Sequence, residues 1–355
     1  MPEFIKKLGI PTLVVTLVCL VYVVAILVNA KGDPLEFVIY DGHYSYQIAY
    51  RLFDEAAVIP KAYPYADELP DAYRFQRILY PLLARLFALG WPALLPWTLI
   101  LLNILAIALG TWVTELLLQH HGVSNWYALV YGLYAGNLVV LRSDMNEALA
   151  QTLVMLAIWA WVRSKHTWGF FWFALAVLAK ETAVLFIAAY GLYSLQRRSW
   201  RDVLGLGASL VPYFAWQLFL LNWLGEFGFN SGQPIIWMPF GGWLMITQIS
   251  WQAFLLISLL IVPLALIPTL AGFIISFRAI GQKFFHPYVY AILFNAIFML
   301  FLPHLTYRES SAVIRVVQGL AVSMLLFGAL THSKRILNYS ILWLFANVIV
   351  VSSAA

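Results

Sequence analysis

Runs of about 20 predominantly apolar residues recur along nearly the whole chain, beginning with Ile10 to Ala30. Each is long enough to cross roughly 30 Å of hydrocarbon as a helix. The runs are continuous rather than alternating, which selects helices over a membrane barrel. Composition agrees. Of 355 residues, 63% are hydrophobic and only 10% are charged, against roughly 25% charged in an ordinary soluble domain. A soluble fold of this length needs more polar surface than that.

Eleven apolar segments are expected, at about 9–30, 93–118, 124–141, 146–163, 168–180, 181–196, 203–223, 250–276, 287–302, 312–330 and 336–352. The predicted fold class is therefore all-α, a polytopic bundle of transmembrane helices with about eleven spans. The fifth and sixth are short and suggest a hairpin of half-spanning helices with Lys180 and Glu181 at its tip. The whole of 1–355 reads as one transmembrane domain. Its long, partly helical first outer loop covers 31–92. A separate span at 78–90 is rejected because it is too short and contains Arg85. The charged start followed by an apolar run resembles a signal peptide, but its length and the lack of a small-x-small site favour a retained first helix.

The positive-inside bias sets orientation. With Lys6 and Lys7 in the cytoplasm, the basic clusters of the short loops fall on that same side: Arg163 and Lys165; Arg197, Arg198 and Arg201; Arg278 and Lys283; Lys334 and Arg335. The net charge of +5 lacks the basic, aromatic-interleaved run of a nucleic-acid binder, so no nucleic-acid partner is expected. The single cysteine, Cys19, excludes an intrachain disulfide. No Gly-rich phosphate loop is present, and the cytoplasmic loops are too short for a nucleotide-binding domain. No Cys/His spacing fits zinc, so neither a metal nor a cofactor is expected.

The remaining charges gather on the outer face. Placing them in or beside hydrocarbon is expensive, so they are functional candidates. Asp41 follows the first segment and precedes an amphipathic helix to about Phe53. Capping that helix and acting as a general base toward an acceptor hydroxyl are both open to it. Arg74 and Arg77, three apart, fit a phosphate-binding pair or headgroup snorkelling. Asp144 and Glu147, beside Arg142, fit a capping box or the polar wall of a cavity. Lys180 and Glu181 fit a self-neutralising pair or a donor site. His304, Tyr307, Arg308, Glu309 and Arg315 surround the start of the tenth segment. Arg308 and Arg315, two turns apart on one expected face, fit a phosphate cradle or packing salt bridges.

The first-loop pair Tyr-Asp-Gly-His-Tyr-Ser-Tyr-Gln-Ile-Ala (40–49) and Tyr-Arg-Phe-Gln-Arg-Ile-Leu-Tyr-Pro (73–81) resembles the GT-C superfamily of membrane glycosyltransferases. It is most similar to bacterial relatives of the GPI mannosyltransferases and the cell-surface glycopolymer formation proteins. Asp144 to Glu147, Ala179 to Thr182, and Tyr307 to Arg315 fit the same pattern. The resemblance implies a polyprenyl-phosphate-linked monosaccharide donor, with mannose suggested by those relatives. It also implies a lipid-linked or cell-surface glycan acceptor, inverting transfer on the extracytoplasmic face, and Asp41 as the base. Donor-phosphate binding would fall to Arg308, Arg315, Lys180, Arg74 and Arg77. His43, Tyr44, Asp144, Glu147, Glu181, His304, Tyr307 and Glu309 would contact substrate. The expected location is a bacterial plasma membrane. A transporter or flippase of a lipid-linked glycan is the alternative from a different class.

Overall fold

The computed structural model describes residues 9–52, 71–230 and 234–347. Lys6 and Lys7, the helix end expected at Phe53, and the last part of the eleventh segment lie outside the described residues. The described chain is all-helical. Among the described residues, five helices are long and apolar enough to cross a membrane: Ile10–Asn29, Pro92–His120, Trp200–Leu224, Trp251–Gly281 and Ser310–Leu330. Glu147–Val162, His166–Ala179 and Pro287–Leu300 are apolar but shorter. The segment expected at 124–141 is broken into Ala128–Gly132 and Ala135–Arg142. Leu79–Phe87 is a nine-residue helix, about 14 Å long at 1.5 Å per residue, too short to span.

Contacts divide the chain into two compact units, each assembled from separated stretches. The sequence reading has a single domain. The described residues of the first unit are 9–52, 71–113, 140–183 and 207–230. Within it, Glu147–Val162 and His166–Ala179 pack along one another. Thr152 Oγ1 donates to the Ala106 carbonyl at 2.6 Å, and Asn146 Nδ2 donates to the Ala179 carbonyl, 2.6 Å away, at the end of the neighbouring helix. That last carbonyl has no intrahelical donor, so the side chain supplies one. The first-loop helix Gly42–Arg51 lies against Leu79–Phe87. Arg85 donates to the carbonyls of Ala49 and Tyr50, at 2.8 and 2.6 Å, placing a cation at the helix's negative end. Ile48, Phe75, Ile78 and Leu220 close an apolar cluster beneath this arrangement.

The described residues of the second unit are 114–139, 184–206 and 234–347. Pro287–Leu300 packs against Val184–Gln196, Ile267–Gly281 and Ser310–Leu330. Gly319 permits close approach of the last of these, since a Cβ there would lie 2.3 Å from Asn295 Oδ1, a small-residue contact typical of apolar helix pairs. The Trp251–Gly281 helix widens into a π turn at Val262–Leu266. Pro263 explains it, because proline has no N–H and its ring crowds the carbonyl four residues back. Pro268, which also lacks an N–H, leaves the next carbonyls without a helical donor, and they find others: Tyr339 OH reaches the Pro263 carbonyl at 2.5 Å, and Trp343 Nε1 the Leu264 carbonyl at 3.0 Å.

His286 caps Pro287–Leu300, its Nδ1 accepting from Tyr288 N–H at 3.2 Å. Only an unprotonated Nδ1 can accept. Burial, aided by the nearby His121, pulls the imidazole pKa down to about 4. The folded value lies below the unfolded one, so this contribution is fully present above pH 6.5 and is lost as pH falls towards 4. Thermal melts between pH 7 and pH 4 should show that loss. His286→Asn, which keeps a capping acceptor, should remove this part of the pH dependence.

Candidate active site

The Asp41–Gly42 turn is set by contact with another backbone. A Cβ at Gly42 would lie 1.8 Å from the Ser143 carbonyl oxygen and 3.2 Å from that of Asp144. Glycine is therefore required for space, and the helix after Asp41 starts directly on the Ser143–Asp144 loop. Backbone cannot yield as a flexible side chain can. Gly42→Ala should cost about 1–3 kcal/mol, the usual range for overpacking, measured as a lowered unfolding midpoint in detergent.

Asp41 occupies the N-cap position but makes no capping hydrogen bond. Its Oδ1 instead accepts from Arg74 Nη1 at 2.7 Å. The Arg74 guanidinium lies 4.3 Å from the centre of the Tyr44 ring and 5.1 Å from that of Tyr73. Arg77 sits 4.6 Å from the same Tyr73 ring and donates to its hydroxyl at 2.8 Å. The two arginines thus share one aromatic surface, which cations favour through the ring quadrupole. Neither is a headgroup snorkel: each already has a carboxylate within the unit. Arg77 grips Glu181 with two bonds, Nε to Oε2 at 3.0 Å and Nη2 to Oε1 at 2.7 Å, a geometry suited to the planar guanidinium.

Lys180 and Glu181 do not neutralise one another as an isolated pair. Lys180 has an extended backbone between two helices, and successive side chains of extended chain point to opposite sides. Its Nζ meets Glu147 Oε1 at 2.7 Å, while Glu181 turns to Arg77. Three ion pairs result: Asp41 with Arg74, Glu181 with Arg77, and Glu147 with Lys180. Tyr73 and the Lys180–Glu181 peptide link them in sequence. The partner of Asp41 is Arg74, from the same first loop.

Asp144 differs from all of these. It is fully buried, has a positive φ of 47°, and neither carboxylate oxygen has a hydrogen-bond partner among the described residues. Aspartate tolerates this left-handed backbone better than most residues. Burial pushes its carboxyl well above the usual aspartate range, and Arg142 pulls it only partly back. A buried polar group without a partner is uncommon and calls for explanation. Here it lies in the loop that touches the Asp41–Gly42 turn.

The capping box, one of the two readings of 144–147, is absent. Asn146 is the N-cap, Glu147 opens the helix, and Glu147 is taken by Lys180. Arg142 pairs with Glu36, at 3.1 Å to Oε1 and 2.5 Å to the backbone carbonyl, rather than with Asp144 or Glu147. Glu36 had no signal in the sequence. His43 is buried beside Tyr44, with ring centres 3.8 Å apart.

The 304–315 group belongs to the second unit. His304 Nδ1 lies 3.1 Å from the Gly242 carbonyl, and the buried Tyr307 donates to the Met299 carbonyl at 2.6 Å. Arg308 ends a short helix, His304–Arg308, and Glu309 is extended before Ser310–Leu330 begins. The expectation that Arg308 and Arg315 share one helical face fails, because the extended Glu309 breaks the 3.6-residue period. Arg308 is exposed and makes no ion pair among the described residues, Glu309 accepts from Ser311 Oγ at 2.8 Å, and Arg315 is half-buried. The comparisons add no relative: no family model, curated protein or solved structure matches this chain.

Proposed function

We propose that this chain transfers a monosaccharide from a polyprenyl-phosphate donor to a lipid-linked or cell-surface glycan. In this reading it is a bundle of about eleven spans with a cytoplasmic N-terminus, acting at the extracytoplasmic face. The observation that carries the reading is the Asp41–Arg74 pair, built on a turn seated against the Ser143–Asp144 loop. Asp41 is the reachable carboxylate of the set, its side chain 37% exposed, and Arg74 fixes its direction. As general base it takes the proton of the acceptor hydroxyl. The acceptor oxygen attacks the anomeric carbon, the bond to the phosphate oxygen breaks, and polyprenyl phosphate leaves with the electron pair.

Cations are needed where that charge develops. Arg77 and Lys180 supply them if donor phosphate displaces Glu181 or Glu147. Arg308, exposed on its own unit, is a separate candidate for a lipid phosphate. No step requires a metal or cofactor in this scheme. The test uses protein in proteoliposomes with polyprenyl-phosphate hexoses, mannose first. Mass spectrometry should find polyprenyl phosphate released and sugar added to the acceptor.

The flippase alternative draws support from the interrupted helices. The chain leaves regular α-helix at Leu133–Tyr134, Ser209–Leu210 and Val262–Leu266, and transporters build sites from discontinuous helices. Movement of labelled lipid across the bilayer with its sugar linkage intact would select that reading.

A further inference from the structure

No Asp, Glu, Lys, Arg or His occurs from Phe227 to Phe277. The part of this stretch before Trp251 is not a simple helix. Residues 234–240 are irregular, and two short helical turns follow, Gly241–Leu244 and Met245–Gln248. A water-facing connection of such composition is unusual. Yet Trp237 is 78% exposed, and Ile235, Met238 and Ile249 are each more than half exposed.

Two anchors hold the segment's inner side. Phe240 N–H donates to the Leu300 carbonyl at 2.7 Å. Gly242 fits so closely that a Cβ would lie 2.5 Å from the Leu302 carbonyl oxygen. On the other side, Trp243 packs on Phe254 with ring centres 4.8 Å apart and donates to Ser258 Oγ at 3.0 Å. Ser258 lies eight positions beyond Ser250, the cap of Trp251–Ile261, about 12 Å along the helix axis at 1.5 Å per residue. The segment therefore folds back alongside the candidate span that it precedes.

We propose that residues 234–250 form a re-entrant segment embedded in one leaflet, its outer apolar side covered by lipid acyl chains. Two observations choose lipid over a protein partner. First, the exposed side continues into the outward row Leu255, Leu256 and Leu259 of the candidate span, the last 77% exposed. Second, irregular backbone survives in hydrocarbon only where its polar groups are satisfied, and from Phe240 to Ser250 backbone carbonyls take up most of the N–H groups. Within that stretch the N–H groups of Phe240, Gly241, Trp243, Leu244, Ile249 and Ser250 donate to backbone carbonyls. Pro234 and Pro239 have none to satisfy. This inference is independent of the glycosyltransferase reading.

The lone cysteine, Cys19, is fully buried, so a Cys19→Ala background accepts single labels. Nitroxides are placed at Trp237→Cys and Ile249→Cys, with Leu256→Cys as lipid reference and Lys334→Cys as aqueous reference. In phosphatidylcholine–phosphatidylglycerol liposomes, sites 237 and 249 should match 256, relaxed strongly by oxygen and weakly by a water-soluble nickel chelate. Relaxation like that at 334 would place the segment in water and overturn the proposal. Exclusion of both reagents would mean a protein covers it, and would overturn it equally. Without any label, Trp237→Phe should reduce the quenching of protein fluorescence by brominated lipid. Unchanged quenching counts against the proposal.

Discussion

Asp41→Asn should lower sugar transfer about 10²- to 10⁴-fold, the usual contribution of a positioned acid–base group, while leaving the protein folded. Asparagine keeps the size of the side chain and an oxygen able to accept from Arg74 Nη1, so the 2.7 Å contact survives without its charge. It cannot take a proton from the acceptor. Asp41 also makes no capping bond to the helix it precedes, so the change removes no cap. The measurement pairs turnover in proteoliposomes with the unfolding midpoint of the same preparation. Loss of turnover at constant midpoint assigns the base. Wild-type turnover removes Asp41 from the mechanism and turns attention to Asp144, where Asp144→Asn is the next variant.

Lys180→Met should destabilise the first unit by about 3–5 kcal/mol, the range for removing one partner of a buried pair. The side chains of Lys180 and Glu147 are 10% and 4% exposed, so little solvent screens the carboxylate left behind. The double variant Lys180→Met with Glu147→Leu should recover most of the loss, because a desolvated pair contributes little net stability over apolar replacements of similar volume. Equilibrium unfolding in detergent of both single variants and the double variant completes the cycle. An unshifted midpoint for Lys180→Met would mean that Glu147 is adequately solvated or held by other groups.

The helical class was legible because apolar run length alone reports it, and the outer charges stood out because charge is rare in this chain. Pairing was not legible. Lys180 and Glu181 are adjacent in sequence, yet an extended backbone at Lys180 sends them to different partners, Glu147 and Arg77. Arg142 has two acids within five residues and chooses Glu36, more than a hundred positions away. Proximity along the chain predicts ion pairs only inside a regular helix, and these residues sit at helix ends. The Arg308–Arg315 face failed for the same reason, since one extended residue, Glu309, resets the helical phase. Asp41 and Gly42 were visible as a turn. That Gly42 meets Ser143 backbone was not, because the requirement is set by a segment a hundred residues distant.

The π turn at Val262–Leu266 bears on the far end of the chain. Tyr339 and Trp343 donate to the carbonyls of Pro263 and Leu264, which Pro268, lacking an N–H, leaves without a donor, so the described C-terminal helices act as a splint for a long apolar helix formed some 75 residues earlier. A chain ended before residue 339 would leave both oxygens facing an apolar interior with no donor. The Lys334–Phe345 stretch is thus a working part of that helix, and tags or cleavage sites belong outside it.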